Sequence, residues 1–301
     1  MTPRSPRIAT PLLVSAAILA LTSCVLVDRS PGPPLPPGPA SIVNKGSDTM
    51  VNLALAWAEA YQTIHPESRL SVTGGGSGTG IAALINGTVD IANASRQINP
   101  EEVADAKANG ITPVEFVVAR DAIAIIVNPG NPVDHLTLQQ ISDMYSGRIG
   151  RWTEVGGEDR PIVRLSRETN SGTHVYFLER VLRLSDPDNE TFFSADTLLL
   201  PSSEGITSEI RYNRNAIGYD GLGYVTDEVK VVPVSEGPDG PFVLPSAESV
   251  TDNRYPVARD LYMYTAGEPS GGILEYLLWI LGPEGQSLVS QLGFVPVEGE
   301  P

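Results

Sequence analysis

The chain has 301 residues, 41% of them hydrophobic, enough for two lobes of ordinary size or one large domain and too apolar for disorder throughout. Its formal charge of −16 disfavours a general nucleic-acid surface and repels anions at long range, so any anion site must work by local dipoles and a few placed cations. The single cysteine, Cys24, excludes an intramolecular disulfide and any multi-cysteine metal site.

Arg4 and Arg7 precede an apolar run from Leu12 to Leu21 and the phrase Leu21-Thr22-Ser23-Cys24, which together read as a signal peptide over 1–23. That run is about half of the roughly 20 residues a spanning helix needs, so no permanent transmembrane anchor is expected. Leu-Thr-Ser-Cys after such a core resembles the lipobox of bacterial lipoproteins. The resemblance implies lipidation of Cys24, palmitate included, and an extracytoplasmic chain held to the cell membrane. Six of the nine residues from Pro31 to Pro39 are proline, which favours extended polyproline II and cannot pack a core, so 24–40 reads as a tether.

The folded part is expected from Ser41. Ser41 to Lys45 reads as a strand. An amphipathic helix follows, with Met50, Leu53, Ala54, Trp57, Tyr61 and Ile64 at helical spacing, stopped by His65-Pro66. Arg69 to Thr73 is a second strand, Ile81 to Ile85 a short helix closed by Asn86-Gly87, and Val89 to Ala92 a third strand. Asp121 to Val127 is a strongly apolar strand, and the turn-rich Asn128-Pro129-Gly130-Asn131-Pro132 is where the chain is expected to leave one lobe. Leu138 to Tyr145 and His174 to Leu184 read as helices with the strand Ile162 to Leu165 between them. Ala216 to Val225 and Val229 to Val234 read as strands, and Ile273 to Leu281 and Gln286 to Leu292 as closing helices. The alternation indicates an α/β class. Lobe one is expected over 41–125 and 235–301, and lobe two over 126–234.

One phrase occurs three times, each time just before a helical pattern: Gly46-Ser47-Asp48-Thr49, Gly76-Ser77-Gly78-Thr79 and Asn170-Ser171-Gly172-Thr173. A helix start leaves backbone N–H groups without intrahelical acceptors and carries partial positive charge, so it can hold a tetrahedral oxyanion. Ser and Thr add hydroxyl donors, and Gly78 and Gly172 allow close backbone approach. Each phrase alone would read as an ordinary N-cap; three of them beside the glycine-rich run Gly74 to Gly80 point to a binding site. Ser71-Val72-Thr73 and Ser249-Val250-Thr251 carry a bulky middle residue and no immediate helical pattern, and are set aside. Nucleotide motifs fit poorly, since Ile81 stands where a P-loop needs lysine, and Thr79 replaces the last glycine of a hydrolase elbow. Arg96 and Arg167 are the candidate cations, guanidinium forks being suited to tetrahedral oxyanions. Glu168 is a candidate ion-pair partner for Arg167. Only His65, His135 and His174 are present, none at metal-ligand spacing, so neither metal nor cofactor is expected.

Gly46 to Met50, Gly74 to Ile81, Asp90 to Arg96 and Arg167 to Thr173, with Ala216-Ile217-Gly218-Tyr219 and Gly221 to Val225, together resemble the phosphate-binding component of bacterial phosphate ABC transporters. The resemblance runs over nearly all of 41–301. It implies a type II periplasmic-binding-protein fold, with two α/β lobes, a central cleft and two hinge crossovers. It implies a non-enzymatic monomer that hands inorganic phosphate to an ABC permease and ATPase complex. Carried over by position, the resemblance supplies Ser47, Thr49, Ser77, Ser171, Gly172 and Thr173, with Arg167 as the cation; Asp48, Gly78, Thr79 and Arg96 complete the candidate phosphate-binding set from the phrases and the second arginine.

Two departures matter. Arg96 stands where the best-known members have an aspartate that accepts a hydrogen bond from protonated phosphate, and Thr169 stands where they have an acid paired with the arginine. An unprotonated acceptor can bond a P–OH but opposes lone pairs in sulfate. Asp48, between two ligand hydroxyls, is therefore the candidate acceptor. Binding of sulfate, molybdate or tungstate stays open. So does a phosphoester hydrolase with a Ser171 or Ser77 nucleophile and His174 as base.

Overall fold

The computed structural model describes residues 41–297; the signal peptide expected over 1–23, Cys24 and the tether to residue 40 lie outside the described residues. The chain begins with β1 (Ser41–Gly46), a 3₁₀ turn at Asp48–Met50, α1 (Val51–Ile64), β2 (Arg69–Thr73), α2 (Ser77–Ile85), β3 (Ile91–Ala94) and α3 (Pro100–Ala108). β1 pairs in parallel with both β2 and β3, the expected product of strand–helix alternation. α1 buries Leu53, Ala54, Trp57 and Tyr61 as its spacing dictates. Ile64 ends exposed instead, because it falls in the last turn before His65 leaves helical geometry. α2 starts at Ser77, four residues earlier than the apolar pattern suggested, so the glycine-rich phrase forms its first turn. α3 has no sequence-based counterpart. It buries only Ala106, giving no apolar stripe, and is held instead by a capping box between Asn99 and Glu102.

Then come β4 (Val114–Val127), β5 (Leu136–Thr137), α4 (Leu138–Tyr145), β6 (Val163–Arg167) and α5 (Gly172–Phe177), which runs on into a π-helical turn at Leu178–Leu182. β7 (Leu198–Leu200), α6 (Ser203–Tyr212), β8 (Ala216–Gly221), β9 (Lys230–Val232) and β10 (Val234–Ser235) follow. The strand expected over Ala216 to Val225 breaks at Gly221, after which Leu222–Tyr224 forms a 3₁₀ turn. The chain closes with α7 (Ala247–Thr251), β11 (Ala258–Thr265), α8 (Gly271–Leu281) and α9 (Pro283–Gln291). Ser249, set aside above, lies in α7 and caps locally with Ser246.

One sheet of order β2-β1-β3-β11-β4-β8-β6-β7 runs through both lobes. β4 makes the crossing. Val114 to Ala122 pair with β11, and Ile123 to Val127 pair with β8, with β9 also bonded to Ile125–Val127. The first lobe's cores lie on the two faces of its half-sheet, one around Trp57, Leu261 and Tyr276, the other around Ile81, Leu84 and Tyr264. The second lobe is built likewise, around Tyr145, Phe177 and Tyr219 on one face and Leu165, Ile206 and Ile210 on the other. This two-layered cover is the α/β solution for a largely buried sheet.

Strand pairing in β4 switches from β11 to β8 at Ala122, close to the expected boundary at 125, and the turn from Asn128 to Pro132 is held to the second half-sheet's helix by Asn128 donating to the carbonyls of Ile210 and Arg211. The return lies near Ala258 rather than at 235, because Val250, Tyr255 and Val257 pack in the second lobe's core. Turn composition marked a local bend, whereas lobe membership is set by which core the apolar side chains enter.

Candidate functional site

The three repeated phrases meet at the ends of β1, β2 and β6, with Ser47 and Thr49 at the first, Ser77 at the second, and Ser171 to Thr173 at the third, all buried. Glycine makes the approach possible. At Gly46, with φ +149°, a Cβ would stand 2.1 Å from the Asn93 carbonyl oxygen, and at Gly172 it would stand 2.3 Å from Ser77 Oγ and 2.7 Å from Ser95 Oγ. Gly172 and Ser77 belong to facing lobes, so the cleft is closed.

Several hydrogen bonds span it. Asp48 Oδ2 accepts from Arg167 Nη2 at 2.8 Å and from the Ser203 N–H at 3.0 Å, at the start of α6. Arg167 also donates to Ser203 Oγ at 2.8 Å and to the Pro201 carbonyl at 3.0 Å. Thr49 and Thr173 share a hydroxyl–hydroxyl bond of 2.7 Å. The Gly78 N–H donates to the Asn170 carbonyl at 3.0 Å, while Asn170 Nδ2 donates to the Gly75 carbonyl at 2.9 Å and to Thr79 Oγ1 at 3.3 Å. Gly78 and Thr79 thus hold the lobes together through Asn170. Ser77 Oγ accepts from the Ser95 N–H at 3.0 Å, fixing the loop after β3 against α2.

Three buried donors of the expected site have no hydrogen-bond partner among the described residues, Ser47 Oγ, Arg96 Nε and Arg167 Nε. Ser47 precedes Asp48 in the first lobe, and Arg167 pairs with Asp48 from the second. Buried donors in folded proteins are almost always satisfied, so each calls for an acceptor. The first-turn N–H groups of the helical run beginning at Gly172 add further donors without intrahelical partners.

Arg96 is placed differently. Its Nη1 and Nη2 donate to the two Glu102 carboxylate oxygens at 2.8 and 2.6 Å, and Nη1 also donates to the Gln97 carbonyl at 2.8 Å. The guanidinium is therefore neutralised on the first lobe by the same glutamate that caps α3. Arg167 pairs with Asp48, not with Glu168. His174 is buried and stacked on Phe193, and its Nδ1 meets Ser166 Oγ at 3.0 Å rather than Ser77 or Ser171; burial holds its pKa below the ordinary value. Among the described residues no group of His, Cys, Asp and Glu side chains could hold a metal ion.

Four further polar residues were not singled out from the sequence. Asn170 and Ser95 stood inside quoted phrases but gave no sign of which lobe each would bond. Ser203 was signalled by Ser202-Ser203-Glu204, whose Ser202 caps α6. Asp121 is buried in β4, where its Oδ2 accepts from Arg259 Nη2 at 2.8 Å and Nε at 3.2 Å.

The model of the PBP superfamily domain matches residues 33–284. The phosphate-binding protein PstS of Pseudomonas aeruginosa is 30% identical over 269 residues, covering 84% of this chain and 81% of its own. Its counterpart in Bacillus subtilis is 33% identical over 258 residues, covering 85% and 81%. Among solved structures, a Clostridium perfringens protein described as a phosphate ABC transporter substrate-binding protein with bound phosphate is similar at TM-score 0.77 and 33% identity, over 86% of this chain and 100% of that one. An ABC-type phosphate transport receptor from Vibrio cholerae is similar at TM-score 0.69 and 26% identity, over 85% and 100%. With the two-lobed architecture and the clamp around Arg167 already in place, these matches show that the chain belongs to the PBP superfamily and, within it, to the PstS-type phosphate-binding proteins.

Proposed function

We propose that this chain binds inorganic phosphate between its lobes and delivers it to an ABC transporter, without chemistry on the anion. The observation that carries the reading is the pair of buried, unpartnered donors, Ser47 Oγ next to Asp48 in one lobe and Nε of the arginine that pairs with Asp48 from the other, among the buried residues Thr49, Ser77, Ser171, Gly172 and Thr173. A tetrahedral oxyanion supplies the acceptors they lack. The relatives named above are phosphate-binding or phosphate-transport proteins, not enzymes. The closeness of Gly172 to Ser77 and Ser95 favours a bare anion over an ester carrying an organic group. Glu102 neutralises the charge of Arg96, so that arginine adds no net charge to the cleft, while its buried Nε stays free for an acceptor.

Delivery follows from the hinge. The bonds that close the cleft are few and polar, so a permease that holds the lobes apart removes most of the ligand's partners at once. The chain is placed outside the cytoplasm, as a monomer, tethered through a lipid on Cys24. If Cys24 carries the anchor, Cys24→Ala moves the chain from the membrane fraction to the soluble fraction. The central test is calorimetry on ligand-stripped protein with phosphate, competed by arsenate, sulfate and molybdate. Saturable one-to-one heat with phosphate that sulfate does not displace is expected; no heat with phosphate would falsify the reading.

A further inference from the structure

One buried acid at the site has no part in the reading above. β6 lies on β8 in parallel register, Val163 beside Ala216 and Arg164 beside Ile217. Continued along both strands, that register sets Ser166 level with Tyr219, whose hydroxyls bond at 2.6 Å, and Arg167 level with Asp220 on the opposite face. Gly218 shares the face of Asp220 and packs under Ile206 and Ile210, so Asp220 sits beneath the first turn of α6, where Ser203 meets Arg167 and Asp48. Asp220 is completely buried. Its Oδ1 accepts the Gly221 N–H at 2.8 Å, while Oδ2 has no hydrogen-bond partner of ordinary length among the described residues, the Ser203 hydroxyl being near enough to act on the carboxyl without a well-formed bond to it.

The charged and titratable groups around it come from every neighbouring element. Arg167 lies on β6, Asp48 on the 3₁₀ turn before α1, Asp121 on β4 with its partner Arg259 on β11, Glu204 on α6, Tyr219 on β8 itself, and Tyr224 on the turn after β8. Burial outweighs the opposing pull of Arg167 and the Ser203 hydroxyl and pushes the Asp220 carboxyl up to about 7.

We propose that Asp220 takes up one proton from solvent as the anion binds, making it the residue that sets how phosphate affinity depends on pH. With both carboxylates ionised, Asp48, paired with Arg167, and Asp220, level with it on the next strand, leave the three-residue cluster net negative before an anion arrives. A phosphate oxygen at Arg167 Nε then meets two like charges in a medium that screens them poorly. Protonation of Asp220 removes one of those charges, leaves Asp48 and Arg167 as a neutral pair, and turns the unpartnered Oδ2 into a potential donor. Bound anion and Asp220 proton are therefore linked: the anion raises the affinity of Asp220 for its proton, and the proton raises the affinity of the site for the anion.

The inference rests on phosphate binding at this site, and the experiment separates the two. Phosphate is titrated calorimetrically into wild type and Asp220→Asn from pH 6 to 9, in buffers of different ionisation enthalpy that report the protons exchanged. The ionisation of phosphate itself is common to both proteins, so their difference belongs to Asp220. Above pH 7 wild type is expected to take up close to one proton more than the variant. Its affinity should also fall up to about tenfold more per pH unit. Infrared difference spectra of wild type, with phosphate minus without, should show a new protonated-carboxyl band, which keeps the test independent of whether the variant folds. Phosphate binding with equal proton counts in the two proteins, or with no carboxyl band in wild type, overturns this inference alone. Absence of phosphate heat in wild type at every pH overturns the binding reading and this inference with it.

Discussion

Arg167 Nη2 and Asp48 Oδ2 form a 2.8 Å ion pair that joins the two lobes directly, with the arginine 1% exposed. Asp48 stands at the start of the first lobe's first helical segment and Arg167 at the end of β6, so the pair exists only when the cleft is shut. This adds a role to the one expected for Asp48. Its Oδ2 is taken by Arg167 and by the Ser203 N–H, both from the second lobe, so the carboxylate positions the cation, while Oδ1 makes no hydrogen bond among the described residues.

Asp48→Asn is accordingly expected to weaken phosphate and sulfate binding by similar factors, leaving their ratio unchanged. Removing one partner of a largely buried pair costs up to about 3–5 kcal/mol, less here because the aspartate is partly exposed. Calorimetry with both anions measures it. A selective gain in sulfate affinity would instead return Asp48 to the role of proton acceptor.

Gly172→Ala tests closure itself. The three nearest atoms the new methyl would meet outside its own helix backbone all belong to Ser77 and Ser95 of the opposite lobe. Overpacking of this kind costs about 1–3 kcal/mol, or roughly tenfold to a hundredfold in affinity. Thermal stability without ligand should stay within a few degrees of wild type. Small-angle scattering should show the variant remaining extended when phosphate is added; compaction equal to that of wild type would refute the steric argument.

The two arginines should separate cleanly. Arg167→Ala removes charged hydrogen bonds at a buried site and is expected to cost about 1.5–3 kcal/mol of phosphate binding, and Ser77→Ala a smaller amount. Arg96→Ala removes a cation already paired with Glu102 and should cost less than about 1 kcal/mol. Equal losses at 96 and 167 would mean that Arg96 leaves Glu102 to reach the ligand.

Asp121 and Arg259 face each other across the two strands that carry the crossovers, β4 and β11. Asp121 Oδ1 also accepts the Leu222 N–H at 3.0 Å, and Arg259 donates to the Ser95 carbonyl at 2.9 Å, so one buried pair ties both hinges to the loop beside Ser77. Asp121→Asn leaves Arg259 uncompensated and should lower unfolding free energy by about 3–5 kcal/mol. A lowered denaturant midpoint with an unchanged slope is the expected result, and an unmoved midpoint would remove the pair from the hinge.

Much of this was readable along the chain, for a definite reason. Trp57 and Tyr61 recur at helical spacing, and the apolar run from Ala122 to Val127 is a strand buried on both faces; each is a local pattern that burial enforces one element at a time. The three Ser- and Thr-rich phrases were readable as helix starts because capping is local too. α3 escaped because a nearly unburied helix has no stripe to read. β11 was missed because its mixture of Arg259, Asp260 and tyrosines reads as polar, although the strand lies in mid-sheet between β3 and β4.

The amino-acid sequence by itself determined the α/β alternation, the acidic composition that confines an anion site to local dipoles and a few cations, and three Ser- and Thr-rich helix starts. Those depend on residues within a few positions of one another. Only the tertiary structure decided which donors stay free for a ligand and which are spent. Gly78 and Thr79 are turned to Asn170, and Arg96 to Glu102 and Arg167 to Asp48, each arginine with its Nε left over, because each partner arrives from a distant segment or another element when the sheet folds and the hinge closes. The same holds for Asp220, an unremarkable acid in a glycine-rich turn until parallel pairing of β6 and β8 sets it, dry and half-bonded, beside Arg167.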